Sequence, residues 1–271
     1  SVFSKSTRSS NLKLFSIDSE KVIANIPVGG SEIHDISVNH DFTRVYAANY
    51  ENVFSLSLGK TGQWVIAALP LQANNIMKVW GSSSGRFLVV GSWDPHSPVD
   101  STLYLVDIQK NKTTLTLRGS EYYNADVAFD GLGQIMAIAS DSGIEIRNTC
   151  NGCLFEDWSQ NLFRGRHLVA FHPTRPLLTS AGNHQRIISN KYFSKCHDNT
   201  HSMPAASIAS VDLNDHKNQM IVISTDGQVH TISLSDGHVM QVRDLPSNQL
   251  GLYQRYGRIL YDDRKNMVYY H

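Results

Sequence analysis

A block of about forty residues, built only from short strands, recurs along this 271-residue chain and constrains its fold more than any other feature. In the clearest copy, residues 21–30 read as an outer strand and turn, 33–38 as an innermost strand, 44–48 as a second strand and 53–58 as a third. A four-stranded sheet of this size cannot bury both of its faces alone, so it must stack against neighbours of the same kind. Strand-only repeats of this length predict a β-propeller, in which the sheets stand as blades around a central channel.

Strand positions follow from short β-branched or aromatic runs bounded by Gly, Asn, Asp and Ser. Innermost strands are expected to start at Ile33, Ile76, Asn124, His167, Ile208 and Arg258. Second strands follow at 44–48, 86–90, 135–139, 177–180 and 220–223, and third strands at 12–17, 53–58, 103–108, 144–147, 185–189 and 229–234. Outer strands centre near Ile23, Val65, Leu115, Phe155, Phe193 and Val239. Six inner and six outer strands predict an all-β propeller of six blades, with residues 1–271 as a single domain, or seven blades if the natural chain is longer. The first clear strand is a third strand and the last inner strand begins near Arg258. The ring is therefore expected to close with N- and C-terminal strands in one blade, its second strand coming from 2–5 or 267–270. Such closure hides sheet edges that would otherwise pair with other chains.

Ile26-Pro27-Val28-Gly29, followed by Val45-Tyr46-Ala47-Ala48-Asn49, resembles the YVTN-repeat family over residues 21–49. Residues 168–182, with Phe171-His172-Pro173 and Ser180-Ala181-Gly182, instead resemble a WD-repeat blade. No Trp-Asp pair ends a third strand, and Trp93-Asp94 falls at the start of an expected loop. The resemblance implies a propeller of six to eight blades, often exported or cell-surface in bacteria for the YVTN type and usually a protein-interaction platform for the WD type. It implies no catalytic residues.

Charge excludes some partners. Lys plus Arg and Asp plus Glu both number 24, so no net field draws the chain to nucleic acid or to an acidic membrane surface. Apolar stretches such as 65–69 are strand-sized, far below the roughly 20 residues that span a bilayer, so a soluble protein without membrane insertion is expected. Ser1 is not an initiator Met, and no charged-then-apolar leader precedes the first strand. Either a signal peptide has been removed or the chain has been trimmed, which leaves exported, periplasmic and cytoplasmic locations open. Three cysteines argue against a disulfide framework, although Cys150 and Cys153 could pair in an oxidising compartment.

Aligning the inner strands on their apolar alternation puts Gly257, His34, Met77, Ala125, His167 and Ala209 at one level of the channel. His34 and His167 then belong to blades two and five, which face each other across a six-bladed ring. Imidazole ligates metals and titrates near neutral pH, and channel mouths commonly bind ligands. The plainer alternative is that both rings bond to channel water and backbone. Tyr122, Tyr123, Asn124, Asn74, Asn75, Tyr253 and Tyr256 lie in the preceding loops and would rim the same mouth. The connection 92–101, with Trp93, Asp94, Pro95, His96 and Pro98, is expected to project an exposed Trp as a binding anchor, or else to pack on itself.

Three other motifs do not survive their context. Cys150, Cys153, His197 and His201 have the ligand types of a zinc site, but about forty residues separate the two halves, and Asn151-Gly152 is a hairpin turn. Expected topology also puts the histidines after the outer strand of blade five, on the opposite face. Gly81-Ser82-Ser83-Ser84-Gly85 matches a nucleophile elbow only by letter, because it joins strand to strand. Gly59-Lys60-Thr61 lacks the helix of a phosphate-binding loop.

The binding set expected from sequence is therefore His34, His167, Met77, Tyr122, Tyr123, Asn124, Trp93 and Tyr253, with no catalytic residue, metal or cofactor. It describes a non-catalytic module that meets another protein, or a small ligand, at the channel mouth. The competing class is an enzyme or enzyme subunit, such as a metal-dependent hydrolase or lyase or a periplasmic dehydrogenase subunit. In that case His34 and His167 carry the site, and Asp35 and Asp126 contribute from one step deeper.

Overall fold

The computed structural model describes residues 11–16, 21–28, 32–39, 43–59, 61–94, 96–157, 167–172, 177–182, 187–192, 195–202, 208–214, 217–224, 226–234, 238–244, 259–262 and 267–270. Apart from one 3-10 turn, Ser120–Tyr122, every regular element among them is a strand, and every ladder is antiparallel. Among the described residues no helix is long and apolar enough to cross a membrane.

A hairpin, β1 (Asn11–Ser16) and β2 (Lys21–Pro27), comes first. Five four-stranded meanders follow. The first comprises β3 (Asp35–Val38), β4 (Arg44–Ala48), β5 (Val53–Leu58) and β6 (Trp64–Ala68), and the second β7 (Ile76–Gly81), β8 (Phe87–Asp94), β9 (Ser97–Asp107) and β10 (Lys112–Arg118). The third is β11 (Asp126–Phe129), β12 (Ile135–Ser140), β13 (Gly143–Asn148) and β14 (Leu154–Asp157), and the fourth β15 (His167–Phe171), β16 (Leu177–Gly182), β17 (Ile187–Tyr192) and β18 (Lys195–Ser202). The fifth is β19 (Ile208–Asn214), β20 (Gln219–Ser224), β21 (Gln228–Ser233) and β22 (Val239–Asp244), after which β23 (Ile259–Asp262) and β24 (Met267–Tyr270) form a second hairpin.

The chain divides into two compact units, residues 1–123 with 150–152, and residues 124–149 with 153–271. In the first unit the sheets stack face to face because β4 is apolar on both sides. Val45 and Ala47 join Leu12, Ile26, Val28 and Leu56 in one core, while Tyr46 and Ala48 join Val53, Ile76, Val79, Leu88 and Val90 in the next. Near-continuous apolar runs are what strands buried on both faces require. In the second unit, Val169 and Leu178 pack with Ala137, Ala139, Ile144 and Ile146 of the third sheet. Leu168 instead lies against Met220, Val222, Ile232 and Leu234 of the fifth, so β15 serves two cores in the same alternating way.

Side chains tie successive sheets together at their inner strands. Asp35 Oδ2 accepts the N–H of Val79 at 2.8 Å, and Ser37 Oγ that of Gly81 at 2.8 Å, each 44 residues on. Asp126 Oδ2 accepts the N–H of Val169, 43 residues on, at 3.1 Å. Turns repeat as well: Asn39, Ser82 and Asp130 each accept, through a side-chain oxygen, the N–H five residues ahead, at Arg44, Phe87 and Ile135.

Two expectations need correction. The third strand of the second sheet starts at Ser97 rather than near residue 103, and β8 runs on to Asp94, so residues 92–101 prolong a hairpin closed by the Asp94–Ser97 pair instead of forming a long loop. Pairing of extended backbone wins there over the turn propensity of the Pro-containing segment. The outer strand placed near Phe193, itself outside the described residues, begins at Lys195 and contains Cys196, His197 and His201. Backbone pairing to β17 recruits this polar stretch, which lacks the apolar alternation that marks a strand in sequence. Closure of the ring by N- and C-terminal strands in one blade is not shown: among the described residues β1–β2 and β23–β24 are each a two-stranded sheet. Residues 2–5 and Arg258 lie outside the described residues.

Candidate functional site

In the first unit, one end of the sheets gathers the segments that enter inner strands and the turns that leave second strands. The chain laces them together. Tyr50 O accepts the N–H of Ile76 at 3.0 Å, Asn75 O accepts that of Trp93 at 3.1 Å, and Asn74 O accepts the Ser92 hydroxyl at 2.5 Å. The turn holding Tyr50 is itself fixed, because Asn49 Oδ1 accepts the N–H groups of Glu51 and Asn52 at 3.0 and 2.7 Å. Asn75 adopts a left-handed backbone, φ 54°, which Asn tolerates better than most residues.

His34 sits at the start of this surface, its N–H bonded to Ala48 O at 2.8 Å. Its ring lies 3.7 Å from the Tyr50 ring, centroid to centroid, tilted by 56°. Nε2 is buried without a hydrogen-bond partner among the described residues. Burial lowers the His34 pKa, with the charge of Glu32 opposing, so the ring is held neutral at neutral pH. Tyr50 is 41% exposed and was not among the residues singled out from sequence. Its only sequence signal is an aromatic in an Asn-rich turn after a buried strand.

Met77 is half-buried and sits where the β7–β8 register shifts between Ile76 and Lys78, a bulge in the inner strand. The β19–β20 ladder shifts in the same way around Ala209. Trp93 corrects an expectation: it is 4% exposed, not projected, because β8 carries it back over the sheet. Gly91 makes room for it, since a Cβ there would lie 2.5 Å from the Trp93 ring and 3.1 Å from that of Trp80. Trp93 meets Tyr123 edge-on, with ring centroids 6.1 Å apart. Tyr122 is also buried rather than on the rim, because the 3-10 turn, closed by its N–H to Gly119 O, turns it inward. Tyr123 stays half-buried, while Asn74 and Asn75 are exposed. His34, Met77, Trp93 and Tyr123 thus share one end of the first unit, with Tyr50 and the two asparagines as its outer surface.

The second unit opens at Asn124, which is left-handed (φ 57°) and half-buried. His167 begins β15, but its side chain lies outside the described residues, as do Tyr253, Tyr256 and Gly257 entirely. Asp35 and Asp126, weighed above as auxiliary acids, spend a carboxylate oxygen on the backbone of the next sheet. Cys150 and Cys153 carry exposed thiols at the β13–β14 turn. Among the described residues no three His, Cys, Asp or Glu side chains gather closely enough to hold a metal ion. The Ser82–Gly85 segment is a strand-to-strand turn in which Ser82 Oγ accepts the Phe87 N–H at 3.0 Å.

The chain matches no protein-family model and no curated protein sequence.

Proposed function

We propose that the four-stranded sheets are blades of a β-propeller related to the YVTN and WD repeats, and that the chain is a non-catalytic module binding another protein. Its contact surface in this reading is the end that carries His34, Tyr50, Asn74, Asn75 and Tyr123. The first part is supported by one inter-sheet bond, from the start of an inner strand to the next, recurring at spacings of 44 and 43 residues. Stacking of the first sheet and of the fourth on a neighbour at each face supports it too. In such a ring the two hairpins supply the remaining strands.

The observation that carries the second part is the lacing of Tyr50, Asn75 and Trp93 by backbone hydrogen bonds. It holds an aromatic and amide surface in place before a partner arrives, which lowers the ordering cost of binding. The test is quantitative capture of partner protein by immobilised wild-type chain, Tyr50→Ala and, as a control at a 73% exposed position, Leu132→Ala. A binding hot spot at Tyr50 loses about 2 kcal/mol or more of affinity, while the control is unchanged. Equal capture by all three refutes the surface.

The buried Nε2 of His34 is the observation that favours the competing, enzymatic reading. A turnover detected in the wild-type chain, abolished by His34→Gln and kept by Tyr50→Ala, would put that reading in its place.

A further inference from the structure

Among the described residues, each four-stranded sheet ends in an outer strand paired on one side only, β6, β10, β14, β18 and β22. Four of these edges carry charged residues that discourage pairing: Lys112 and Arg118, Glu156 and Asp157, Lys195 and Asp198, Arg243 and Asp244. β6, reading Trp64-Val65-Ile66-Ala67-Ala68, carries none. Its residues Val65 to Ala68 are all exposed, Val65 by 56% and Ile66 by 37%.

The backbone direction of this edge follows from its neighbours. The Leu69 N–H bonds to Val53 O at 2.8 Å, so residue 69 faces β5, and Ala67 and Val65 face it by alternation. Gln63 O, which accepts the Gly59 N–H at 2.7 Å, continues the same alternation. Trp64, Ile66 and Ala68 therefore direct their N–H and C=O groups outward, a row of main-chain donors and acceptors bordered by uncharged side chains.

We propose that this edge receives an extended, uncharged segment of a partner protein as a fifth strand, antiparallel to β6. A second copy of the chain is the poorer fit, because stable interfaces use about 20 to 30 residues a side and β6 offers five. Strand addition draws its affinity from main-chain bonds and succeeds over such a short length. A neutral edge also selects a neutral segment, since a charged side chain beside Val65 and Ile66 would lose hydration without gaining a partner. The surface is distinct from the loop end proposed above.

The probe is a fluorescent, capped seven-residue peptide of alternating Thr and Val, with a twin N-methylated at every residue so that neither edge can donate. Both are titrated into the wild-type chain, Ile66→Ala, Ile66→Pro and Tyr50→Ala. Because the Ile66 N–H points outward, proline there removes no existing ladder bond. The parent peptide is expected to bind the wild-type chain, Tyr50→Ala and Ile66→Ala with affinities within about threefold, and Ile66→Pro at least about tenfold more weakly. The methylated twin is expected not to bind. Should Ile66→Pro fail to fold, as circular dichroism would reveal, the two peptides on wild-type chain still decide. Equal binding of the twins, no saturable binding of the parent, or a wild-type dimer that Ile66→Pro converts to monomer would each overturn the proposal.

Discussion

Replacing Asp35 by Ala tests whether this carboxylate serves the fold or is held for chemistry. Its Oδ2 accepts the N–H of Val79, a fully buried residue in the neighbouring sheet, at 2.8 Å. Hydrogen bonds to charged groups contribute about 1.5–3 kcal/mol, and the half-exposed position of Asp35 puts this one at the lower end, about 1.5 kcal/mol. Ser37→Ala removes the neighbouring bond to Gly81, between neutral groups, at about 1 kcal/mol. Both bonds join the same two strands, so the double variant should depart from the additive value of about 2.5 kcal/mol if one bond positions the other. Urea unfolding measures this directly: the midpoint should fall while the slope stays constant, since the surface exposed on unfolding is unchanged. Asp35→Asn, which keeps an acceptor oxygen, should recover more than half of the loss. An Asp35→Ala midpoint equivalent to less than about 0.5 kcal/mol from wild type, the range of an ordinary surface substitution, would refute the structural role and return the carboxylate to the candidate site.

Trp93→Ala should cost about 3–5 kcal/mol of stability, as truncating a buried aromatic over a glycine does; a variant with wild-type stability that had lost partner capture would restore Trp93 as a surface anchor. Stability should also depend on pH through two histidines. His34 and His230, the latter 2% exposed with both ring nitrogens unpartnered among the described residues, are each held below the ordinary histidine value, mainly by burial, with Glu32 and Asp226 opposing. The unfolded chain then takes up protons that the folded chain does not, so this stability is complete above about pH 6.5 and is lost as pH falls through the folded values. His230→Leu should flatten the urea midpoint between about pH 7 and 5, and an unchanged slope would show that His230 does not titrate with folding.

Local pattern was readable without a structure wherever one strand meets a core on each face. Residues 44–48 and 53–58 coincide with β4 and β5, because Val-Tyr-Ala-Ala and Val-Phe-Ser-Leu record burial in their own residue order. Inner-strand starts at Ile76, His167 and Ile208 were legible for the same reason. The polar outer strand β18 was not, since main-chain bonds to β17 stabilise it irrespective of its side chains.

At the candidate site the division is sharper. The residue types that gather at one loop end, His34, Met77, Trp93 and Tyr123, could be named from sequence, because the repeat puts the entry to each inner strand at a predictable place. Which of them faces solvent could not. Burial of Trp93 depends on Gly91 and Trp80 beneath it, and Tyr50 became visible only through its contact with His34. Sequence by itself determined an all-β chain of short strands in repeating order, because alternation and turn residues are properties of consecutive positions. Tertiary structure alone decided that Asp35 and Asp126 bind the next sheet and that Trp93 is packed. The two inter-sheet bonds join residues 44 and 43 positions apart, whose proximity no local pattern encodes.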